Sequence, residues 1–199
     1  MTDEALIVID VQGDFCPGGA LAVAGGDQII APINTLMRSF GAVVLTQDWH
    51  PSDHSSFADN HPGAAPFSTM QMPYGPQVLW PRHCVQGTPG AEFHANLDTN
   101  AANMVIRKGF HPAIDSYSAF FENDHKTETG LHGYLRDRGI KRLVLAGLAL
   151  DFCVAYSALD AARLGYEVLV RTDLCRAIDL DGSRHMMTEK MRKAGVQLA

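Results

Sequence analysis

Three side chains that could together catalyse acyl transfer follow short apolar segments of the chain: Asp10, Lys108 and Cys153. Cys153 is the candidate nucleophile because a helix is predicted to begin there, and the N–H groups and dipole of a helix N-terminus favour a thiolate. Lys108 would lower the pKa of that thiol further, and Asp10 would accept and return protons. The backbone N–H groups of Ala149 and Cys153 could hold an oxyanion. This chemistry suits attack on a carbonyl carbon.

A second group of residues suits a divalent metal ion. The stretch from 48 to 54 contains Asp48, His50 and His54, and His83 follows in a Trp-Pro-Arg-His sequence. Asp48 and His50 are two residues apart, so their side chains share one side of an extended segment. Carboxylate and imidazole donors favour Zn²⁺, and they also suit Mn²⁺ or Fe²⁺. Such spacing is common in unrelated loops, but here Asp48 leaves the predicted sheet beside the strand that carries Asp10.

Short apolar segments are predicted to form the strands that position these residues. They are Ala5–Ile9, Ala42–Thr46, Met104–Ile106, Leu143–Ala146 and Glu167–Val170, with Val196–Leu198 as a further edge strand. Continuous Val, Ile and Leu content is typical of strands buried on both faces of a parallel sheet. Open parallel sheets bind ligands outside the carboxyl ends of their strands. The first four strand ends therefore bring Asp10, Asp48 with His50, Lys108 and Cys153 to one edge.

Helices are predicted between these strands. They cover Asp27–Phe40, Thr127–Arg138, Phe152–Leu164 and Asp181–Lys193, and a glycine closely follows each one. This alternation predicts right-handed crossovers, a doubly wound sheet and a three-layer α/β/α fold in a single domain, residues 1–199. Residues 51–89 hold seven of the ten prolines and show neither the two-residue period of a strand nor the 3.6-residue period of a helix. Residues 48–90 are therefore predicted to form a long loop that binds the metal and the substrate.

Composition and charge narrow the range of partners. The net charge is −6, from 22 acidic and 16 basic side chains, and no Lys/Arg run occurs, which argues against nucleic acid or an anionic membrane. No apolar segment reaches the roughly 18 residues that span a bilayer. Four widely spaced cysteines without a CxxC pair favour a reducing cytoplasm. The sequence leaves the oligomeric state open, and a homo-oligomer is one alternative.

The chain resembles the nicotinamidases of the isochorismatase-like cysteine hydrolase superfamily over nearly its whole length. The matching stretches are Ile9–Gly19, Thr46–Pro51, Trp80–Cys84, Arg107–Gly109, Asp115–Phe120 and Gly147–Val154. The resemblance implies a six-stranded, mainly parallel sheet with helices on both faces and a catalytic triad that falls on Asp10, Lys108 and Cys153. It also implies hydrolysis of nicotinamide to nicotinic acid through a cysteine thioester, in NAD salvage, with pyrazinamide as a further candidate substrate.

The resemblance further implies one divalent metal ion, most simply Zn²⁺. Its ligands fall on Asp48, His50 and His83, and His54 matches a position that approaches the metal in some members.

The resemblance also implies a substrate pocket. Aromatic side chains that flank the substrate ring fall on Phe15 and Trp80, with Tyr117 as a neighbour. A non-proline cis peptide is implied between Leu148 and Ala149. The sequence departs from the family pattern at Gly13, where Asn is usual, and at Leu150, where Thr is usual. Neither departure falls on the triad or on the metal ligands.

Two other functions remain open. One is another amidase or carbamoyl hydrolase with the same triad, against which the Asp48, His50 and His83 set argues because most such relatives hold no metal. The other is a non-catalytic zinc-binding or redox-sensing protein that uses Cys153 and releases no ammonia from any amide. A cysteine taken alone is more often a small buried hydrophobic residue. The acid and the lysine at neighbouring strand ends favour the nucleophile.

Overall fold

A six-stranded parallel sheet forms the centre of the molecule in a computed structural model that describes residues 3–199. The strands are β1 (Glu4–Ile9), β2 (Val43–Asp48), β3 (Thr69–Met72), β4 (Gly75–Val78), β5 (Met104–Lys108), β6 (Arg142–Leu148), β7 (Glu167–Arg176) and β8 (Gln197–Leu198). The sheet has the order β5-β2-β1-β6-β7-β8, and every neighbouring pair in it is parallel. β3 and β4 form a separate antiparallel hairpin.

Helices cover both faces of this sheet. They are α1 (Ile30–Met37), α2 (Leu131–Asp137), α3 (Ala155–Arg163) and α4 (Ser183–Lys193), and a π-helical turn, Leu150–Val154, precedes α3. In the strand order, β2 lies on one side of β1, whereas β7 and β8 follow β6 toward the opposite edge of the sheet. Because crossovers between parallel strands are right-handed, α1 lies on one face of the sheet and α3 and α4 lie on the other. The predicted doubly wound, three-layer fold is confirmed. Within residues 3–199, no helix is long and apolar enough to cross a membrane.

The continuous apolar segments form strands because both faces of the sheet are covered. Every residue of β2 is buried, and so is every residue of β6 except Arg142. Gly147 lies where the register between β6 and β7 shifts, and its φ is +127°. A Cβ atom there would lie 2.1 Å from the Ile9 carbonyl oxygen. Glycine thus lets β6 approach β1 closely at the edge of the sheet that carries the predicted site.

One predicted helix, Thr127–Arg138, begins later than expected. The Thr127 carbonyl accepts the Glu122 N–H at 2.9 Å, so this part of the chain pairs with the segment before it instead of starting a helix. α2 begins at Leu131, after Gly130 with a φ of +95°. The other predicted strands and helices are present; β7 runs six residues beyond its predicted end at Val170, and the remaining ends differ by at most three residues.

The long segment 48–90 is less irregular than predicted, because β3 and β4 lie within it. β3 alternates between exposed and less exposed residues but has only four of them, and the buried residue of β4 is the polar Gln77, so the sequence shows no clear strand period. Leu79, directly after β4, donates its N–H to the Ser68 carbonyl at 2.8 Å. Trp80 donates its N–H to the Ser56 carbonyl at 2.8 Å. The hairpin therefore leads the chain into a fixed position at Trp80.

Candidate active site

The predicted catalytic residues lie together at the carboxyl edge of the sheet. Asp10 follows β1, Lys108 ends β5, and Cys153 lies in the π-helical turn after β6. The Lys108 Nζ atom lies 2.9 Å from Asp10 Oδ2 and donates a hydrogen bond to Cys153 Sγ at 3.5 Å. Asp10 and Lys108 are completely buried, and Cys153 is nearly so. The lysine thus contacts both the acid and the thiol.

Lys108 also joins this group to Asp48. Its Nζ atom donates to Asp48 Oδ1 and, at 2.8 Å, to the Ser116 carbonyl oxygen. Burial by itself would lower the pKa of Lys108, but Asp10 and Asp48 raise that pKa well above its ordinary value. A charged ammonium therefore lies between two carboxylates that would otherwise repel each other.

Asp10 is held by Thr46, a residue that the sequence analysis missed. The Thr46 hydroxyl accepts the Asp10 N–H at 3.1 Å and donates to Asp10 Oδ1 at 2.6 Å. The signal in the sequence is a hydroxyl within a completely buried strand, because such a group needs hydrogen-bond partners. Burial raises the pKa of Asp10, Lys108 lowers it and Asp48 raises it, with a net rise. A raised pKa suits a carboxyl group that must take and release a proton near neutral pH.

The state of Cys153 differs from the predicted thiolate. Burial raises the pKa of this thiol well above its usual range; Lys108 opposes the shift, and Asp10 adds to it. The thiol therefore keeps its proton next to a carboxylate that can accept it. The chain enters the helix through the π-helical turn, in which Val154 donates its N–H to the Ala149 carbonyl at 3.1 Å. The Leu148–Ala149 peptide bond is cis, as expected.

Asp48, His50 and His83 form a compact set of metal donors. Asp48 Oδ2 lies 3.6 Å from His50 Nε2 and 4.0 Å from His83 Nε2. His50 Nδ1 donates to the Gly109 carbonyl at 2.7 Å, and His83 Nδ1 donates to the Pro81 carbonyl at 2.8 Å. Because a carbonyl only accepts, each neutral ring turns an unprotonated Nε2 toward Asp48. Ligand atoms that share one Zn²⁺ lie roughly 3–4 Å apart, so this set fits a divalent ion.

The positions and charges of these rings depend on their surroundings. A Cβ at Gly109 would lie 2.4 Å from the His50 ring, so glycine makes room for that ligand. Burial lowers the pKa of His83 to about 4, and His50 adds to that shift. Burial would also lower the pKa of His50, but Asp48 raises it. His83 is therefore neutral, as a metal ligand must be, and His50 lies against the carboxylate that would share the ion with it.

His54 is not part of this donor set. Ser56 donates its N–H to His54 Nδ1 at 3.2 Å, and His54 Nε2 donates to the Ile114 carbonyl at 3.2 Å. The His54 ring lies 4.4 Å from the His50 ring, and His54 shares a separate group of donor atoms with His50 and Asp115. Both ring nitrogens of His54 have hydrogen-bond partners in this arrangement, and its contact with the metal stays a prediction.

A small cavity opens onto the thiol and two of the metal donors, Asp48 and His83. Its lining includes Phe15, Leu21, Asp48, Trp80, His83, Asp115, Tyr117, Ala149, Phe152, Cys153 and Ile178. The three predicted aromatic residues are among them, and Phe152 was missed although it directly precedes Cys153. The rings of Trp80 and Phe152 lie edge to face at 4.9 Å, and Trp80 Nε1 donates to the Tyr117 hydroxyl at 3.1 Å. This wall suits a flat aromatic ligand.

The two departures from the family pattern lie outside this cavity. A Cβ atom at Gly13 would lie 3.1 Å from the Pro89 carbonyl oxygen, so a larger residue would be crowded in this chain. Leu150 is buried and is not among the residues that line the cavity.

Comparison with known proteins agrees with this geometry. The isochorismatase domain matches residues 4–199. The chain belongs to the isochorismatase family. It is 58% identical over 193 residues to a nicotinamidase from Acinetobacter baylyi, and the alignment covers 97% of this chain and 90% of that relative. It is 45% identical over 204 residues to a nicotinamidase from Escherichia coli, with 100% and 95% covered. The predicted resemblance to nicotinamidases of this family is confirmed.

Solved structures of this isochorismatase family have the same fold. A nicotinamidase pyrazinamidase from Acinetobacter baumanii has a TM-score of 0.98 and 55% identity, covering 100% of this chain and 96% of that one. PnC1 from L. infantum, in complex with nicotinate, has a TM-score of 0.87 and 40% identity, with 100% and 94% covered. A pyrazinamidase from Pyrococcus horikoshii, in complex with zinc, has a TM-score of 0.80 and 37% identity, with 100% and 99% covered.

Proposed function

We propose that this chain is a nicotinamidase, which hydrolyses nicotinamide to nicotinate and ammonia through a thioester on Cys153. The observation that carries the proposal is a single cavity that joins the thiol, two of the metal donors and an aromatic wall. Asp10 and Lys108 lie behind the thiol, within reach of its sulfur and its proton. A pyridine carboxamide matches these groups: its flat ring suits Trp80, its amide carbon meets Cys153, and its ring nitrogen turns to the metal donors.

The first half of the reaction is acylation. Cys153 begins as a thiol, because burial raises the pKa of its sulfur. As sulfur bonds to the amide carbon, the thiol proton passes to Asp10, and the negative charge on the former carbonyl oxygen is held by the Ala149 and Cys153 N–H groups. Asp10 then gives that proton to the departing nitrogen, the carbon–nitrogen bond breaks, and ammonia leaves. The product of this half is a thioester.

The second half is hydrolysis of that thioester. Asp10 takes a proton from a water molecule as the water oxygen bonds to the thioester carbon, and it returns the proton to the Cys153 sulfur as the carbon–sulfur bond breaks. Lys108 keeps its charge throughout, because Asp10 and Asp48 hold its pKa high. It thereby stabilises the negative charge that moves between the sulfur and the carboxylate.

Asp48, His50 and His83 would hold the divalent ion, and Zn²⁺ suits one carboxylate and two imidazoles best. When bound, the ion supplies a Lewis acid for the ring nitrogen of the substrate. The thiol already supplies a nucleophile, so we assign the metal donors to substrate recognition. The aromatic side chains of Phe15 and Trp80 would contact the faces and edges of the substrate ring and so hold it in place.

The same groups suit a second substrate, pyrazinamide, because its ring also carries a nitrogen in the same position relative to the carboxamide. The product of the main reaction is a pyridine carboxylate, which suits a role in NAD salvage. We assign the reaction to the cytoplasm because the four cysteines are free, as in proteins of reducing compartments.

The direct test is release of ammonia and nicotinate from nicotinamide by the Zn²⁺-loaded protein. Cys153→Ala should abolish release while the protein keeps its fold. Cys16→Ala is the matched control, since Cys16 is also buried but does not line the cavity, and this variant should keep its turnover. Release of ammonia from another amide but not from nicotinamide would identify a different amidase, and no release from any amide would refute an enzymatic role.

A further inference from the structure

Thr46 binds Asp10 at two points with one hydroxyl group. The hydroxyl oxygen accepts the Asp10 backbone N–H at 3.1 Å, and the hydroxyl proton is donated to Asp10 Oδ1 at 2.6 Å. A hydroxyl offers one donor and two acceptor positions, so both bonds form together. Thr46 is completely buried in β2 and does not line the substrate cavity. Its contacts therefore act on Asp10 and not on the ligand.

The two oxygens of Asp10 consequently have different surroundings. Oδ1 is occupied by the Thr46 hydroxyl, whereas Oδ2 lies 2.9 Å from Lys108 Nζ. Among the described residues, Oδ2 is a buried oxygen without a hydrogen bond of good geometry. A donor atom from each of Asp10, Asp48 and Cys153 lies within 4.8 Å of the other two. Oδ1 already accepts the Thr46 proton, so Oδ2, which contacts the Lys108 ammonium but has no hydrogen bond of good geometry to a described residue, is the oxygen that we assign to proton exchange with the thiol.

Thr46 also explains how the chain keeps its shape where β1 ends. β1 pairs with β2 as far as Val8 opposite Leu45, and Asp10 then turns out of the sheet with a φ of +47°. This left-handed conformation is uncommon for a residue other than glycine, although aspartate is among those that tolerate it. The Asp10 N–H would lose its ladder partner at this turn, and the Thr46 side chain takes that place. The backbone turn and the carboxylate orientation thus depend on one hydroxyl.

We propose that Thr46 is a positioning residue, which fixes the Asp10 carboxylate in the orientation that turns Oδ2 to the thiol and the leaving group. The inference rests on the proposed role of Asp10 in nicotinamide hydrolysis and adds a residue to that machinery. Without the hydroxyl, only the Lys108 contact to Oδ2 still orients the carboxylate, so it rotates more readily and the fraction of molecules with a correctly placed base falls. The step that needs the proton transfer slows, while the cavity that binds the ring is unchanged.

The test compares Thr46→Val, which keeps the branched shape but lacks the hydroxyl, with Thr46→Ser, which keeps the hydroxyl. Both are assayed for ammonia release from nicotinamide with Zn²⁺ bound, and metal content and the unfolding transition are measured on the same samples. T46V should lose roughly 10- to 100-fold in kcat, less than the roughly 10²- to 10⁴-fold of a complete acid-base group, with KM changed by less than about twofold. T46S should keep most of the wild-type kcat.

Several outcomes would overturn the inference. One is a T46V kcat within about twofold of wild type, and another is an equal loss in T46S and T46V. If T46V does not fold, Thr46→Ala removes the same hydroxyl; if neither variant folds while T46S does, the role of the hydroxyl is structural. Wild-type turnover with unimpaired T46V would refute this inference alone. No turnover by the wild-type protein would refute the proposed function and this inference with it.

Discussion

Replacing Lys108 with methionine removes the cation that lies between Asp10 and Asp48. Lys108 is completely buried, as is Asp10, and Asp48 is nearly so. The Lys108 ammonium contacts both carboxylates, the Cys153 sulfur and the Ser116 carbonyl. Methionine has a similar length and fills the same space, so the main change is the loss of charge and of these bonds.

The loss of stability follows from the two carboxylates that remain. Removing one partner of a buried ion pair costs about 3–5 kcal/mol, which is a large share of the about 5–15 kcal/mol that stabilises a typical domain. Lys108 lowers the pKa of Asp10 and of Asp48. In the variant both folded-state pKa values rise, so the folded chain binds protons that the unfolded chain releases. The stability of the variant relative to wild type should therefore fall as the pH rises above the ordinary carboxyl range.

Urea unfolding followed by circular dichroism measures this difference at about pH 7 and at about pH 4.5. Lys126→Met is the control, because Lys126 is exposed and its replacement should change stability by no more than about 0.5 kcal/mol. Lys108→Met should lose about 3–5 kcal/mol at the higher pH and clearly less at the lower one. A loss below about 1 kcal/mol at neutral pH, or an equal loss at both pH values, would refute the reasoning.

Two further predictions concern ring recognition and the buried acid Glu122. Benzamide, which lacks the ring nitrogen, should have a kcat/KM roughly 10²-fold or more below that of nicotinamide. A chelator should narrow this difference, because it should lower the hydrolysis of nicotinamide most. Equal kcat/KM values for the two amides with metal bound would exclude recognition of the ring nitrogen by the metal. Burial, Asp124 and Asp115 raise the pKa of Glu122 to about 7 from 4.5. The folded state then binds the extra proton, so stability should fall across that range as pH rises, and Glu122→Gln should flatten the dependence in urea unfolding; parallel curves for the two proteins would contradict this.

The sheet and the meeting of the three triad residues could be predicted because they follow from short-range pattern. Burying an aspartate within Val8-Ile9-Asp10-Val11 without a partner is costly, so the sequence pattern predicts a cation near Asp10. Lys108 and Cys153 follow other apolar segments, and parallel strands bring their carboxyl ends to one edge. In the structure the Lys108 ammonium contacts both the Asp10 carboxylate and the Cys153 sulfur.

The rest depends on contacts between distant residues, which no local pattern encodes. Thr46 and Asp10 are 36 positions apart, and their hydrogen bonds depend on the strand register. The two nitrogens of His54 bond to Ser56 and Ile114, which depends on the path of two loops. The protonation state of Cys153 depends on how deeply it is buried beside carboxylates. The helix N-terminus and the neighbouring Lys108 predicted a thiolate, whereas burial favours the thiol.

The most direct test of the account is the mass of the peptide that contains Cys153 after rapid mixing with nicotinamide and quenching in acid. A nicotinoyl group should appear on Cys153 before nicotinate accumulates and should decay as nicotinate is released. The same digest supplies the internal control: Cys16, Cys84 and Cys175 should stay unmodified, because these thiols are buried and, unlike Cys153, none of them lines the cavity. Turnover of nicotinamide without acylation of Cys153, or with the acyl group on another cysteine, would contradict the account.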